Sequence, residues 1–237
     1  MRPTLRLIPL VTACLIAPAA WSADALTDAM QAAYPPYRAA LFRTNGKSVP
    51  DAQEAIVQAQ QAWKALIERH GARPPAPYDR DPQVAATLAE VAKVYDTAAA
   101  QIRDGKLPAA HETLEAARDL MADLRRRNQV VVFSDHMNAY HSEMEHLLEA
   151  GPKLLAEPQG LHKLTARVGA LDYLAARLRA ETPAALRGNA DYETALSTLE
   201  SSVAAARLAA LAQDAAALRE ALGKLKPAYS RLFLKFG

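Results

Sequence analysis

The sequence predicts an all-α protein built from two tandem up-and-down four-helix bundles. Alanine and leucine dominate the composition, and glycine is scarce, with 9 among 237 residues. Runs of β-branched residues are nearly absent apart from residues 130–132. Because alanine and leucine lose little side-chain freedom in a helix, this composition favours helix throughout. A hydrophobic content of 51% in a chain of this length provides a real core for one large domain or two small ones.

Helix boundaries in the first half are marked by capping residues, prolines and glycines. Such residues start helices at Ser48 and Asp81-Pro82, where a polar side chain can accept from free amides. A proline-rich connector covers 71–77. Asp104-Gly105 ends one helix, and Leu107-Pro108 opens the next. Pro35-Pro36 is expected to interrupt the first helix, because proline lacks an N–H group.

Breaks in the second half follow the same logic. The expected breaks are Gly151-Pro152, 157–160, Thr182-Pro183 and Gly188-Asn189. Pro227 is expected to kink the last helix. Together with the first half, these residues predict roughly eight helical segments.

The two halves resemble each other in sequence order. Asp28-Ala29-Met30 recurs as Asp135-His136-Met137. Two further matches pair 62–66 with 172–176, which aligns Trp63 with Tyr173, and 95–98 with 192–195, which aligns Tyr95 with Tyr192. The order predicts a degenerate duplication of a four-helix unit, with a first bundle at 23–128 and a second at 129–237.

The junction between the two predicted units has two interpretations. Residues 109–150 contain neither glycine nor proline, so a continuous helix could join the bundles. Alternatively, Asn128 and the β-branched residues after it weaken the helix, and Ser134 caps a new one. Both interpretations predict tightly coupled bundles.

The first 22 residues have the pattern of a secretory signal peptide. Arg2 and Arg6 precede the apolar stretch 7–20, and small residues lead to a cleavage site after Ser22. The apolar stretch is too short to span a bilayer, so we expect an exported, periplasmic protein without a membrane span. The alternative is a lipoprotein, because residues 11–14 fit a lipobox ending in Cys14.

Cleavage would change both charge and cysteine chemistry. Loss of Arg2 and Arg6 takes 28 basic residues to 26, against 26 acidic ones. The mature chain would therefore be neutral, which gives no reason to expect nucleic-acid binding. Loss of Cys14, the single cysteine, excludes disulfides, thiolate metal sites and a cysteine nucleophile from the mature protein.

One predicted helix carries an unusual group of histidines and methionines. His141 lies one turn from both Met137 and Met144, at the edge of the face that must be buried. His136 flanks the opposite edge, and Glu145 follows His141 by one turn. Three of the six histidines, including His146, fall within eleven residues.

This group predicts a transition-metal site. Imidazole and thioether ligands suit copper and, in haem proteins, iron, whereas His141 with Glu145 offers a nitrogen and an oxygen to zinc or iron. A helix face supplies two or three ligands, so a partner helix must complete the site. The alternative is structural, with methionine as core filler and histidine bonded locally.

The other polar groups of the chain give weaker indications of a functional site. His111, with Glu112 and Glu115, begins a helix, and 125–127 is a compact run of arginines. The chain contains no glycine-rich phosphate loop and no Ser/His/Asp arrangement. The sequence therefore does not predict an enzyme.

Each half resembles the soluble periplasmic b-type cytochromes, which are small four-helix bundles. The likeness is carried by Met30, residues 102–107 and Ala228-Tyr229. In that family a methionine of the first helix and a histidine of the last helix ligate haem. Met30 and Met137 match the methionine.

The histidine of that family is missing in both halves. Its position falls at about Arg125 in the first half and Ser230 in the second, and neither residue can be an axial ligand. The resemblance therefore implies the fold and the compartment, and it argues against haem bound in the family's manner.

Three functions remain open from the sequence. The first is binding of copper or iron for carriage or handover to a membrane transporter or redox partner. The second is a non-catalytic scaffold or partner-binding role in the periplasm. The third is a b-type haem electron carrier.

Overall fold

The computed structural model describes residues 24–237. The predicted signal peptide and Cys14 lie outside this range. The described chain forms eight α-helices, two short 3₁₀ helices at Tyr78–Arg80 and Ala184–Leu186, and no strand. The α-helices are α1 Ala25–Thr44, α2 Val49–His70, α3 Val84–Arg103, α4 Leu107–Arg127, α5 Phe133–Leu155, α6 Gly160–Ala180, α7 Ala190–Leu211 and α8 Ala215–Phe236.

Most predicted helix boundaries are confirmed by the capping contacts. The Ser48 hydroxyl accepts from the Asp51 amide at 3.3 Å at the start of α2. Gly105 follows α3 with a φ of +74°, a conformation that glycine adopts without strain. The start of α3 lies at Val84, two residues later than Asp81-Pro82 predicts, because the Asp81 carboxylate accepts from the Gln83 amide at 2.9 Å and holds a turn there.

Two predicted breaks are wrong. The helix α1 runs through Pro35-Pro36, and α5 runs through Gly151-Pro152 to Leu155. Each proline removes one helical hydrogen bond, at a cost of about 3 kcal/mol. The buried side chains of Tyr34 and Tyr37 flank the first proline pair, so tertiary packing of that face outweighs the local cost. Pro227 also lies within a continuous helix, α8.

The eight helices form two four-helix bundles in tandem. Within each bundle, helices that are consecutive in sequence pack against each other, and the first helix also packs against the fourth. Each bundle has its own hydrophobic core. Short connections between neighbours produce the up-and-down topology.

Helices α4 and α5 are separate. Gln129 has a positive φ of 59°, which stops the α4 helix. The Val132 amide donates to the Asp135 carboxylate at 3.0 Å, so Asp135 and not Ser134 completes the start of α5. The two bundles are therefore joined by a short turn and not by a continuous helix.

Buried positions support the duplication. Met30 of α1 corresponds to Met137 of α5, 107 residues later. In the other three helix pairs the spacing is 108 residues, and the matching buried pairs are Ile56 with Leu164, Trp63 with Leu171, Leu88 with Leu196, Tyr95 with Val203, Leu114 with Leu222 and Met121 with Tyr229. The recurrence of Asp28-Ala29-Met30 as Asp135-His136-Met137 fits this register.

The other two sequence matches, 62–66 with 172–176 and 95–98 with 192–195, are out of register. Burial places Leu171, not Tyr173, at the position of Trp63, and Tyr173 is exposed. The pattern of burial likewise pairs Tyr95 with Val203 and not with Tyr192. Short matches arise easily in an alanine-rich chain, whereas the buried face of a helix fixes its register.

The bundles meet through α1 and α4 on one side and α5 and α8 on the other. The fully buried Arg125 side chain pairs with Asp135, with Nε to Oδ2 at 3.0 Å. The Arg38 Nη1 donates to the Phe233 carbonyl at 2.6 Å. Polar contacts thus hold the bundles together.

Among residues 24–237, no helix combines the length and the apolar character that crossing a bilayer requires.

Candidate functional site

A cleft of about 300 Å³ opens where the two bundles meet. We call it the interbundle cleft. The end of α1 and one face of α4 form its first wall, and α5 and α8 form the opposite wall. The apolar part of its lining consists of Leu41, Phe42, Tyr229 and Phe233. The rings of Tyr229 and Phe233 stack with centroids 5.5 Å apart, which gives the cleft an aromatic floor.

His141 lies in this cleft and contacts both bundles. Its Nδ1 is 3.0 Å from Nη1 of Arg118 on α4. Because a guanidinium only donates, Nδ1 must accept, and the ring proton lies on Nε2. Nε2 faces the Glu145 Oε1 at 3.4 Å. The ring also stacks on Tyr229 at 5.0 Å, so its orientation is fixed from three sides.

Glu145 carries a firmly held negative charge. Its Oε1 lies 2.9 Å from the Lys226 Nζ of α8. The contact with His141, and then the Lys226 ammonium, lower the pKa of Glu145 to about 2, against the opposing effect of partial burial. The carboxylate therefore stays ionised at any physiological pH.

Arg118 is the least exposed charge in the cleft. Its side chain is 13% exposed, against 36% for Glu115 and 37% for Glu145. Its Nε donates to Asp119 at 3.2 Å, and its Nη1 lies 3.9 Å from Glu115. The first contact is a hydrogen bond, and the second is too long to be one.

His111 occupies the other end of the cleft. Its Nδ1 lies 3.0 Å from the Leu41 carbonyl, which can only accept, so Nδ1 carries the proton. This carbonyl belongs to the last turn of α1, where orphan carbonyls need donors. Its Nε2 faces Asn45 at 3.4 Å and Glu115 at 3.7 Å. His111 thereby joins α4 to the end of α1.

The structure separates the predicted metal ligands into two environments. His141 and Glu145 line the cleft, whereas the Met137 and Met144 side chains are wholly buried in the second core. His136 lies half-buried one turn before Tyr140, outside the cleft lining. Within residues 24–237, no group of three or more His, Cys, Asp or Glu side chains is arranged to hold a metal ion. The metal site stays a prediction.

The residues at the haem-ligand positions of the b-type cytochromes do not fit haem. Arg125 is fully buried and paired with Asp135, and it has no lone pair to offer iron. Ser230 lines the cleft beside Tyr229. Met30 and Met137 are core residues of the two bundles.

Sequence reasoning found part of the cleft and missed the rest. It selected His141 and Glu145 because histidines are dense around them. It missed Arg118 and Lys226 as site residues, because they come from helices distant in sequence. One pattern could have pointed to His111, since His111 and Glu115 repeat the four-residue spacing of His141 and Glu145.

Comparison with protein-family models, with curated proteins and with solved structures finds no match to this chain.

Proposed function

We propose that this protein is a non-catalytic binding protein that carries a small molecule in the interbundle cleft. One observation carries the proposal: charged side chains from both bundles converge on a cavity with an aromatic floor. Sites for small molecules are concave and mostly apolar, with a few placed polar groups, and they form preferentially between packed units. Arg118, His141 and Lys226 provide such groups beside Tyr229 and Phe233.

The size of the cleft limits the ligand. A volume of about 300 Å³ lies at the lower end of the range for small-molecule sites, and the cleft opens to solvent, so the ligand would have roughly ten to twenty non-hydrogen atoms. A ligand of this size would touch both bundles at once. Carriage also suits a chain that we expect to be exported and neutral overall, because neither property requires a polymeric or membrane-bound partner.

A neutral fluorescent probe tests this proposal. N-phenyl-1-naphthylamine gains fluorescence in apolar surroundings, and we expect saturable binding of one probe per chain. Phe42, 44% exposed at the cleft, is changed to Ala, and Val57, 47% exposed on α2 away from the cleft, is the matched control. We expect Phe42→Ala to weaken binding about fivefold, the loss of part of one aromatic contact, and Val57→Ala to leave it unchanged. Equal effects of both changes, or unsaturable fluorescence, would contradict the proposal.

A transition-metal carrier is the second candidate. It is favoured by His141 and Glu145, whose Nε2 and Oε1 face each other at 3.4 Å in the cleft, where a metal could reach both. Copper or iron would be held by these two groups, for handover to a membrane transporter or redox partner, whereas Met137 and Met144 are buried in the second core and lie outside the cleft. Binding through Nδ1 would require Arg118 to withdraw, because a guanidinium repels a metal cation.

Metal analysis separates this candidate from the first. Protein purified from the periplasm is compared with a His141→Ala/Met144→Ala variant, and equal metal in both ends the metal hypothesis. Haem addition without Soret absorbance ends the electron-carrier hypothesis. A stoichiometric protein partner, retained with chelator and without His141, would instead favour the scaffold role.

A further inference from the structure

We infer that the ligand of the interbundle cleft is a monoanion, a single carboxylate on a small apolar body. This inference rests on the proposed function, and it names the chemical class of the ligand.

The depth of the charges favours an anion. The formal charges that line the cleft balance, with Arg118 and Lys226 against Glu115 and Glu145. Their screening differs, since the Arg118 side chain is 13% exposed and the others are 36% or more. A charge that is removed from water acts at closer to its full strength. Asp119, the carboxylate paired with Nε of Arg118 at 3.2 Å, does not line the cleft and is 70% exposed, so water screens its charge. A ligand that enters the cleft therefore meets a positive charge as the least exposed charge of the lining.

Arg118 also has hydrogen-bonding capacity to spare. Nε donates to Asp119, and Nη1 donates to the neutral His141. Nη2 makes no hydrogen bond to any residue of 24–237. The planar guanidinium fork matches a carboxylate, and such charge-assisted bonds are about twice as strong as neutral ones. His141 does not cancel the charge of Arg118, because it accepts as a neutral ring.

The carboxylates of the cleft restrict the ligand to one negative charge. Glu145 pairs with Lys226 at 2.9 Å, so that pair is internally neutral. Glu145 remains ionised, and Glu115 lies 3.9 Å from Arg118. A dianion such as phosphate or a dicarboxylate would bring its second charge toward these groups, and like charges repel strongly in a partly buried site.

The remaining lining selects an apolar body. Leu41 and Tyr229 are buried at the wall, and Phe42 and Phe233 complete it. Aromatic side chains bind flat apolar groups with offset or edge contacts. A ring or short hydrocarbon chain carrying one carboxylate fits both parts of the cleft.

Isothermal titration with three matched compounds tests the inference. The probes are 3-phenylpropionate, 3-phenylpropanamide and 3-phenylpropylamine, which share the phenyl body and differ in charge. We expect the anion to bind at least tenfold more tightly than the amide, and the amine to bind more weakly than the amide. A tenfold preference corresponds to about 1.4 kcal/mol.

Variants of α4 test whether Arg118 causes the preference for the anion over the amide. Arg118→Gln should bring the anion within about twofold of the amide, whereas Arg126→Gln, an exposed arginine of the same helix, should leave the preference intact. Binding of the amide or amine as tight as that of the anion overturns the inference and leaves the proposed function standing. If none of the three compounds binds, the inference fails, and the naphthylamine titration decides the proposed function separately. The wild-type series is decisive even if Arg118→Gln does not fold.

Discussion

The two bundles share one architecture and differ in what fills it. The first core contains Trp63, Tyr37 and Tyr95 in stacked and edge contacts, with ring centroids about 6 Å apart. The corresponding positions of the second core hold Leu171, Met144 and Val203. The comparison shows that the spacing of buried positions specifies a bundle, whereas the identity of the residues varies as long as the core is filled.

The second difference lies where the bundles meet. Equivalent positions of the two repeats line this interface from both sides, as in an isologous dimer. Arg118 and Lys226 are 108 residues apart at matching positions of α4 and α8, and Tyr34 corresponds to His141. Because the residues at these positions differ, the interface is asymmetric, and it opens into a cleft with Arg118 against His141.

The largest loss of stability is expected when the buried ion pair at this interface is broken. Asp135→Ala would leave the Arg125 charge buried without a partner, which costs about 3–5 kcal/mol. The matched control is Asp28→Ala, the same position of the first repeat, where the side chain is exposed. We expect that change to cost less than about 0.5 kcal/mol.

The free energy of unfolding in urea measures this difference. Similar losses for both variants would show that the two repeat positions are energetically equivalent, contrary to the interface described above.

A smaller loss of stability is expected when a buried hydrogen bond between two hydroxyl groups, which each bundle contains, is removed. Thr27 and Tyr78 in the first bundle, and Thr182 and Tyr192 in the second, have hydroxyl oxygens 2.9 Å apart in buried positions. Each threonine keeps a further hydrogen-bond partner when the tyrosine hydroxyl is removed. Tyr78→Phe and Tyr192→Phe should therefore each lower the free energy of unfolding by about 1 kcal/mol. A change several times larger in one bundle would break the parallel between them.

The smallest expected effect is a shift in the pKa of Glu145. Since the pKa of Glu145 in the folded protein is lowered to about 2, its contribution to stability is present above pH 4.5 and is lost as pH falls toward 2. His141→Ala and Lys226→Met should each raise this pKa, because each change removes a contact that lowers it. Carboxyl chemical shifts followed by NMR between pH 1.5 and 6 report both values. An unchanged pKa in either variant would show that the removed contact does not hold the charge of Glu145.

Much of the fold follows from the sequence, because caps, glycines and the 3.6-residue period are local. The number of helices and the tandem bundles were predicted in this way. The continuity of α1 through Pro35-Pro36 was not, because packing of Tyr34 and Tyr37 overrides a local penalty.

The site was predictable only in part. His141 and Glu145 lie on one helix, so their spacing reveals them. Arg118, Lys226 and the end of α1 join them only through packing between bundles, and a helical period says which face is buried but not which partner covers it. The sequence also suggested His141 as a metal ligand, whereas in the structure its Nδ1 accepts a hydrogen bond from an arginine.

The central claim is that the binding site belongs to both bundles together. Backbone amide chemical shifts of the full chain, recorded while N-phenyl-1-naphthylamine is titrated to saturation, test it most directly. We predict that shifts change together at Phe42, Asn45 and His111 of the first bundle and at Tyr229 and Ser230 of the second, with one common dissociation constant. Changes confined to one bundle, or different dissociation constants for the two, would contradict the account.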